Sequence, residues 1–376
     1  MIIGIPKEVK TDEYRVGITP LNVGVLIKEN HKVIVQSGAG DGSGFSDDSY
    51  LNAGAQIVSS AKELYNMATL IVKVKEPQSS EYDFLNEKHT LFCYLHLAPL
   101  RELTSVLVEK KVCAIAYETV AVDNELPLLK PMSEIAGKMA PIVAAYHLSR
   151  YQGGEGVLIS GTDGVPSAKV LVIGAGNAGF NAAKIALGMG ADVTVINRSA
   201  PKLQELQKVL PHVKTALYST QKFEELLKDS DIVISSVLIH GGSSAPKLIT
   251  RDMLKSMKNG AVFVDIAIDQ GGTAESSRPT THTNPVFTQE GVLHYCVANM
   301  PGAYPKTASV ALSNATISYV KKLSNGVVEA IKNNSSLALG VNVFKGHVTN
   351  LAVSKIHGFE FKEIESCLRE ISSEIK

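Results

Sequence analysis

The parts of this chain that can do chemistry are four polar segments and one glycine-rich turn. Arg15 lies in Tyr14-Arg15-Val16 and Lys75 in Lys73-Val74-Lys75-Glu76-Pro77. His96 lies in Tyr94-Leu95-His96-Leu97-Ala98, and Asp269 in Asp265-Ile266-Ala267-Ile268-Asp269-Gln270-Gly271-Gly272. Each segment sits at the end of a predicted strand, and open α/β sheets bind ligands beyond the carboxyl ends of their strands. An arginine grips a carboxylate with two parallel hydrogen bonds, and a lysine adds a point charge. An imidazole, whose ordinary pKa is near neutrality, can pass a proton to or from a carbonyl carbon's substituents. A nearby aspartate can orient a water, the imidazole or a substrate amine. Each residue also has a plainer reading. A loop cation is usually solvated, a histidine between leucines is usually a satisfied core residue, and an aspartate before Gln-Gly-Gly can be a turn former.

The glycine-rich turn is more specific. Val170-Leu171-Val172-Ile173 runs into Gly174-Ala175-Gly176-Asn177-Ala178-Gly179 and opens into the alanine-rich segment Phe180–Gly190. A GxGxxG between a strand and a helix is the dinucleotide fingerprint. Gly174 permits the tight turn, Gly176 lets a pyrophosphate approach the backbone, and Gly179 lets helix and strand pack closely. The helix N-terminus supplies N–H groups and partial positive charge for phosphates. The next predicted strand, Asp192–Asn197, follows at the right distance.

The elements that must hold these residues are read from alternation. Ile2–Ile5, Lys32–Gln36, Leu70–Val74, Leu91–Leu95 and Cys113–Tyr117 read as strands, with helices over Leu21–Glu29 and Leu100–Lys110. A long helix opens at Pro131-Met132-Ser133-Glu134, with Ser133 as the predicted N-cap. A second series has strands at Val170–Ile173, Val193–Asn197, Ile232–Val237, Val262–Ile266 and His294–Val297. After Pro305 the pattern is helical, over 308–323 and 327–333. The expected fold is α/β: two Rossmann-like, doubly wound parallel-sheet domains with the active cleft between them. Residues 1–130 with 306–376 form the substrate domain, discontinuous in sequence, and 131–305 the dinucleotide-binding domain.

Composition narrows the function. With 376 residues, 45% hydrophobic and 20% charged, the chain can bury the cores of two domains. A net charge of zero argues against an electrostatic grip on nucleic acid or on an acidic membrane. The four cysteines show no CxxC spacing, so neither a zinc site nor a disulfide framework is expected. Ile2-Ile3-Gly4-Ile5-Pro6 lacks signal-peptide architecture, and no apolar run reaches membrane-span length, so a cytoplasmic protein is expected.

Together the segments resemble alanine dehydrogenase, over essentially the whole chain. Ile3-Gly4-Ile5-Pro6-Lys7-Glu8 with Arg15-Val16-Gly17-Ile18-Thr19-Pro20 resembles that family's N-terminal signature. Val72–Pro77, Leu95–Ala98 and Leu129–Ser133 resemble its lysine strand, histidine segment and hinge. Val264–Gly272 resembles its most distinctive stretch, followed by Arg278-Pro279-Thr280-Thr281 and Val297-Ala298-Asn299-Met300-Pro301. The resemblance implies a reversible conversion of L-alanine to pyruvate and ammonia with NAD. It implies that Arg15 and Lys75 hold the substrate carboxylate, that His96 is the acid/base, and that Asp269 completes the site. It places the cofactor at Ser133, Gly174, Gly176, Gly179, Asn197, Lys202, Ser219, Leu238, Asp269 and Asn299, and Arg198, Ile266 and Met300 are further cofactor candidates beside them in sequence. It also suggests a homo-oligomer, a hexamer.

Two departures from the family pattern matter. The strand after the fingerprint ends in Asn197-Arg198-Ser199, where an acidic residue normally takes the ribose hydroxyls. Asn197 does not repel a 2′-phosphate and Arg198 can attract one. NAD is expected, with NADP use left open; the plainer reading is a solvated Arg198. The stretch Leu238–Lys247 replaces a shorter Pro-Gly loop. Two rival readings are kept. One is a transhydrogenase-like nucleotide-binding subunit, which shares the scaffold but lacks the lysine, histidine and aspartate. The other is a non-catalytic dinucleotide sensor.

Overall fold

The structure is a computed structural model that describes residues 1–123, 125–237 and 245–374. Its strands, in chain order, begin with β1 (Ile2–Ile5), β2 (Lys32–Gln36), β3 (Gln56–Val58), β4 (Leu70–Val72), β5 (Thr90–Cys93) and β6 (Cys113–Ala116). They continue with β7 (Lys169–Ile173), β8 (Asp192–Asn197), β9 (Lys214–Leu217), β10 (Ile232–Ser235), β11 (Val262–Asp265), β12 (Val286–Gln289) and β13 (Val292–Tyr295). The last are β14 (Val341–Phe344) and β15 (His347–Val348). The chain divides into two compact units, Met1–Met132 with Tyr304–Lys376, and Ser133–Ala303.

In the first unit the strand order is β15-β14-β6-β5-β4-β1-β2-β3. Pairing is parallel from β3 to β6, and β14 and β15 add an antiparallel edge. In the second unit the order is β12-β13-β11-β10-β7-β8-β9, with only β12 antiparallel. The central strands β4, β5, β6, β10 and β11 are buried at every residue. That is why they read as mainly apolar runs: helices cover both faces of a parallel sheet. Both sheets are therefore doubly wound, and β1 and β7 each lie at the point where the strand order reverses.

The structure corrects several boundaries. Strands β4 and β5 end at Val72 and Cys93, two residues before the predicted ends. Lys73–Lys75 and Tyr94–His96 are thus released from the ladder just where chemistry is expected. The long helix runs Lys130–His147, so Ser133 lies in its first turn and is not the N-cap. Pro131 is tolerated there because the first N–H groups of a helix have no intrahelical acceptor. Strands β3, β9 and β12 are short edge or near-edge elements without an apolar run. The predicted helical tail also contains the hairpin β14–β15.

Within the first unit, the helix Pro305–Ser324 anchors the segment that carries Arg15. Val16 N–H donates to Ser309 Oγ at 2.9 Å, and Thr19 N–H to Ser313 Oγ at 3.1 Å. A Cβ on Gly17 would lie 2.8 Å from the Val72 carbonyl oxygen, so only glycine lets this segment cross the end of β4. Among the described residues, no helix is long and apolar enough to cross a membrane, and no cluster of His, Cys, Asp and Glu could hold a metal ion.

Candidate active site

The first unit gathers Arg15, Lys75 and His96 at the carboxyl ends of neighbouring strands. Arg15 is fully buried and engaged by Glu13, which sequence reasoning missed. Its Nε and Nη2 donate to the two Glu13 carboxylate oxygens at 2.7 and 2.6 Å, and its Nη1 lies 3.1 Å from Met132 Sδ. Burial opposes charge on Glu13, but the Arg15 hydrogen bonds and charge outweigh it and hold the carboxyl below its usual range.

Lys75 is buried. Its neighbour Lys73 is buried too but belongs to the core, with its ammonium 2.9 Å from Glu81 and 3.2 Å from Glu8. The Glu8 carboxylate also accepts the Val74 N–H at 2.7 Å. Burial raises its pKa to about 7, outweighing the lowering effect of Lys73. This network fixes the backbone from which Lys75 projects.

His96 adopts a left-handed backbone, φ +47°, which is uncommon for a non-glycine residue. Its ring stacks near Tyr94 at 6.0 Å between centroids, and the Tyr94 hydroxyl donates to the Leu128 carbonyl at 2.6 Å. Burial, then the charges of Lys75, Lys10 and Arg15, hold the imidazole well below its ordinary pKa. In the free protein it is therefore a neutral imidazole at pH 7.

The second unit carries the fingerprint. Gly174 has φ +102°, the conformation the sequence reading asks of it. A Cβ on Gly179 would lie 2.0 Å from the Gly174 carbonyl oxygen and 2.7 Å from Ser236 Oγ. A Cβ on Gly176 would meet no protein atom within 4 Å, so this backbone is open to close approach. Gly176 is the N-cap of the helix Asn177–Gly188, and no side chain caps its first N–H groups. These features fit a pyrophosphate at the helix N-terminus. Gly179→Ala is expected to push the helix off the strand, at about 1–3 kcal/mol for overpacking. It should lower Tm by several degrees and raise the NADH Kd at least tenfold, both measurable by a thermal melt and fluorescence titration. Unchanged NADH affinity would remove Gly179 from the site.

The remaining cofactor candidates are placed in the second unit as follows. Asn197 Nδ2 donates to the Ser199 carbonyl at 3.4 Å, and the Arg198 guanidinium lies 5.1 Å above the Tyr218 ring. Ser199 caps the helix that carries Lys202, and Ser219 caps the next through the Lys222 N–H. Asn299 is left-handed at φ +60°, and Met300 is buried beside it. Leu238 lies outside the described residues.

Ile266 and Asp269 share the short 3-10 turn Ile266–Gln270. Asp265 caps this turn through the Ala267 N–H and also accepts Thr273 N–H at 2.7 Å and Ser277 Oγ–H at 2.6 Å. Lys247 closes the other end, with its ammonium donating to the carbonyls of Gly271, Gly272 and Ala274 at 2.6, 2.9 and 3.0 Å. Asp265 and Lys247 are thus the residues that shape the Asp269 turn, and neither stood out as a candidate in the sequence.

A doubly wound unit with this fingerprint, in one chain with a second that bears an imidazole among cations, is the organisation of a two-domain dinucleotide-dependent oxidoreductase. Residues 4–136 match the family model "Alanine dehydrogenase/PNT, N-terminal domain", and residues 140–351 match "Alanine dehydrogenase/PNT, C-terminal domain". Alanine dehydrogenase of Staphylococcus epidermidis is 50% identical over 373 residues, covering 98% of this chain and 100% of the relative. Alanine dehydrogenase 2 of Staphylococcus aureus is 48% identical over the same shares of each chain. Among solved structures, an L-alanine dehydrogenase is 42% identical, with TM-score 0.92, covering 95% of this chain and 99% of that one. A transhydrogenase from Sinorhizobium meliloti is 27% identical, with TM-score 0.79, over 94% and 100%. The chain belongs to the alanine dehydrogenase/PNT family.

Proposed function

We propose that this chain catalyses the reversible oxidative deamination of L-alanine to pyruvate and ammonia with NAD. The observation that carries this reading is His96, presented at a strand end in strained backbone and kept neutral by burial and by Lys75, Lys10 and Arg15. A neutral imidazole can accept a proton as the substrate amine becomes an imine and as water adds to it, and return it in the reverse direction. Lys75 and Arg15 hold the carboxylate, Arg15 from its Nη1 side because Glu13 occupies the Nε side. Holding the carboxylate aims the α-hydrogen, a positioning contribution. The nicotinamide, when bound, accepts or supplies the hydride. Asp269 orients the amine or the attacking water. A transhydrogenase subunit, which transfers hydride between two nicotinamides, has no use for this acid/base and clamp. The family resemblance carries the further proposal of a cytoplasmic homohexamer.

Reductive amination of pyruvate by ammonium, followed with NADH and with NADPH, tests the reading. No pyruvate-dependent oxidation of either cofactor would overturn it.

The same assay tests cofactor choice. Arg198 is held over Tyr218 beside Asn197, a contact worth about 0.5–1 kcal/mol at an exposed site. Two unit charges about 4 Å apart near a protein surface interact by up to about 4 kcal/mol. A quarter of that changes a preference about fivefold. Wild type is expected to use NADPH measurably. Asn197→Asp should raise the kcat/KM ratio of NADH over NADPH, and Arg198→Ala should raise it by weakening NADPH. No NADPH activity and no change in ratio would make Arg198 a solvated charge.

A further inference from the structure

Glu118 stands on the 3-10 turn Tyr117–Thr119, immediately after β6 and one strand over from the segment bearing His96. Its carboxylate collects two successive backbone N–H groups. Leu95 N–H reaches both oxygens, at 3.1 and 3.2 Å, and His96 N–H reaches Oε1 at 2.6 Å. The turn beneath it is itself tied down. Thr119 Oγ1 donates to the Ala116 and Gly340 carbonyls, and Asn342 Nδ2 donates to Thr119 Oγ1 at 2.8 Å.

A left-handed conformation in a non-glycine residue costs about 1–2 kcal/mol and persists only where its surroundings over-determine it. Here the over-determining group is a carboxylate, and charge-assisted N–H···O⁻ bonds are about twice as strong as neutral ones. The His96 Nδ1 is 4.0 Å from Oε1, too far for a hydrogen bond to the ring. Glu118 therefore grips the His96 backbone and leaves the ring nitrogens to the chemistry.

We infer that Glu118 is a positioning residue for the reaction: it holds Leu95 and His96 in the turn that directs the imidazole at the substrate. This rests on the reading of His96 as the acid/base. Glu118→Gln keeps the size but replaces one acceptor oxygen with an N–H₂ donor facing N–H groups. It should lower kcat at least tenfold while the NADH Kd stays within twofold. Glu118→Asp should fall between wild type and the Gln variant.

A double-mutant cycle separates positioning from general structure. If Glu118 acts through His96, then Glu118→Gln changes the residual kcat of His96→Ala by less than twofold, because the group being positioned is gone. A full tenfold or greater loss in that background as well would overturn the proposal, as would near-normal kcat in Glu118→Gln. Should Glu118→Gln fail to fold, the same cycle with Glu118→Asp carries the test. If His96→Ala alone keeps near-normal turnover, the acid/base reading fails first, and that result is distinguishable because it needs no Glu118 variant.

Discussion

His96→Ala and Asp269→Ala should each lose a factor of about 10² to 10⁴ in kcat, the usual cost of removing a positioned acid/base group. Both should remain folded. The His96 side chain keeps about a third of its surface exposed (35%) although its surroundings desolvate the ring, so removing it leaves no closed core cavity. The Asp269 turn is held by Asp265 and Lys247, not by Asp269 itself. NADH titration should therefore show that both variants still bind the cofactor while pyruvate turnover collapses. A variant with near-normal kcat would strip that residue of its role.

The second large effect concerns the carboxylate clamp. A charge-assisted hydrogen bond in a desolvated site is worth about 1.5–3 kcal/mol, so Lys75→Ala should raise the pyruvate KM by about 10- to 150-fold with little change in NADH affinity. It should also move a titration. Lys75 is, after burial, the largest influence holding the His96 pKa down. Without that charge the imidazole keeps its proton to higher pH, so the acidic limb of kcat/KM for alanine should shift upward. A KM effect with no shift of that limb would place Lys75 away from His96.

Arg15→Ala should weaken pyruvate binding too, but with a second signature. It takes away the Arg15 hydrogen bonds to both oxygens of the Glu13 carboxylate, whose side chain has no exposed surface. Removing one partner of a buried pair costs about 3–5 kcal/mol, so Tm should fall further for Arg15→Ala, which takes away both hydrogen bonds to Glu13, than for Lys75→Ala, whose charge also acts on Glu13. The sign with pH follows from the depressed Glu13 pKa. The pair stabilises the fold above the ordinary carboxylate range and stops doing so as pH falls through the folded-state pKa. The Tm gap between wild type and Arg15→Ala should close on acidification below about pH 4.5.

What could be read in the sequence was what is local. Gly174, Gly176 and Gly179 state their purpose within six residues, because a turn and the start of a helix are set by neighbours in the chain. Arg15, Lys75 and His96 are individually ambiguous and take their meaning from the family resemblance that their segments carry together. The residues that shape them act at a distance. Glu118 reaches back over 22 residues to His96, and Lys247 reaches forward over 24 to Gly271. Nothing in Ala-Tyr-Glu-Thr or Ala-Pro-Lys-Leu announces such a contact. Glu13 is only two residues from Arg15, but with Lys10-Thr11-Asp12 before it the segment reads as a solvated charged loop, so the buried pair is hidden. The strands that escaped notice, β9 and β12 among them, are partly exposed and lack the apolar run that buried parallel strands require.

The serines of the helix Pro305–Ser324 have a consequence for how the molecule is made. Val16 and Thr19 find their acceptors in Ser309 and Ser313, nearly three hundred residues later. Strand β6 likewise waits for β14 to pair its outer edge. A chain leaving the ribosome at about 5–20 residues per second completes the dinucleotide-binding unit, Ser133–Ala303, before either partner exists. The segment bearing Arg15 thus spends tens of seconds without its support, with the edge of β6 unpaired. Order of synthesis assigns the burden of chaperoning to the half of the protein that was translated first.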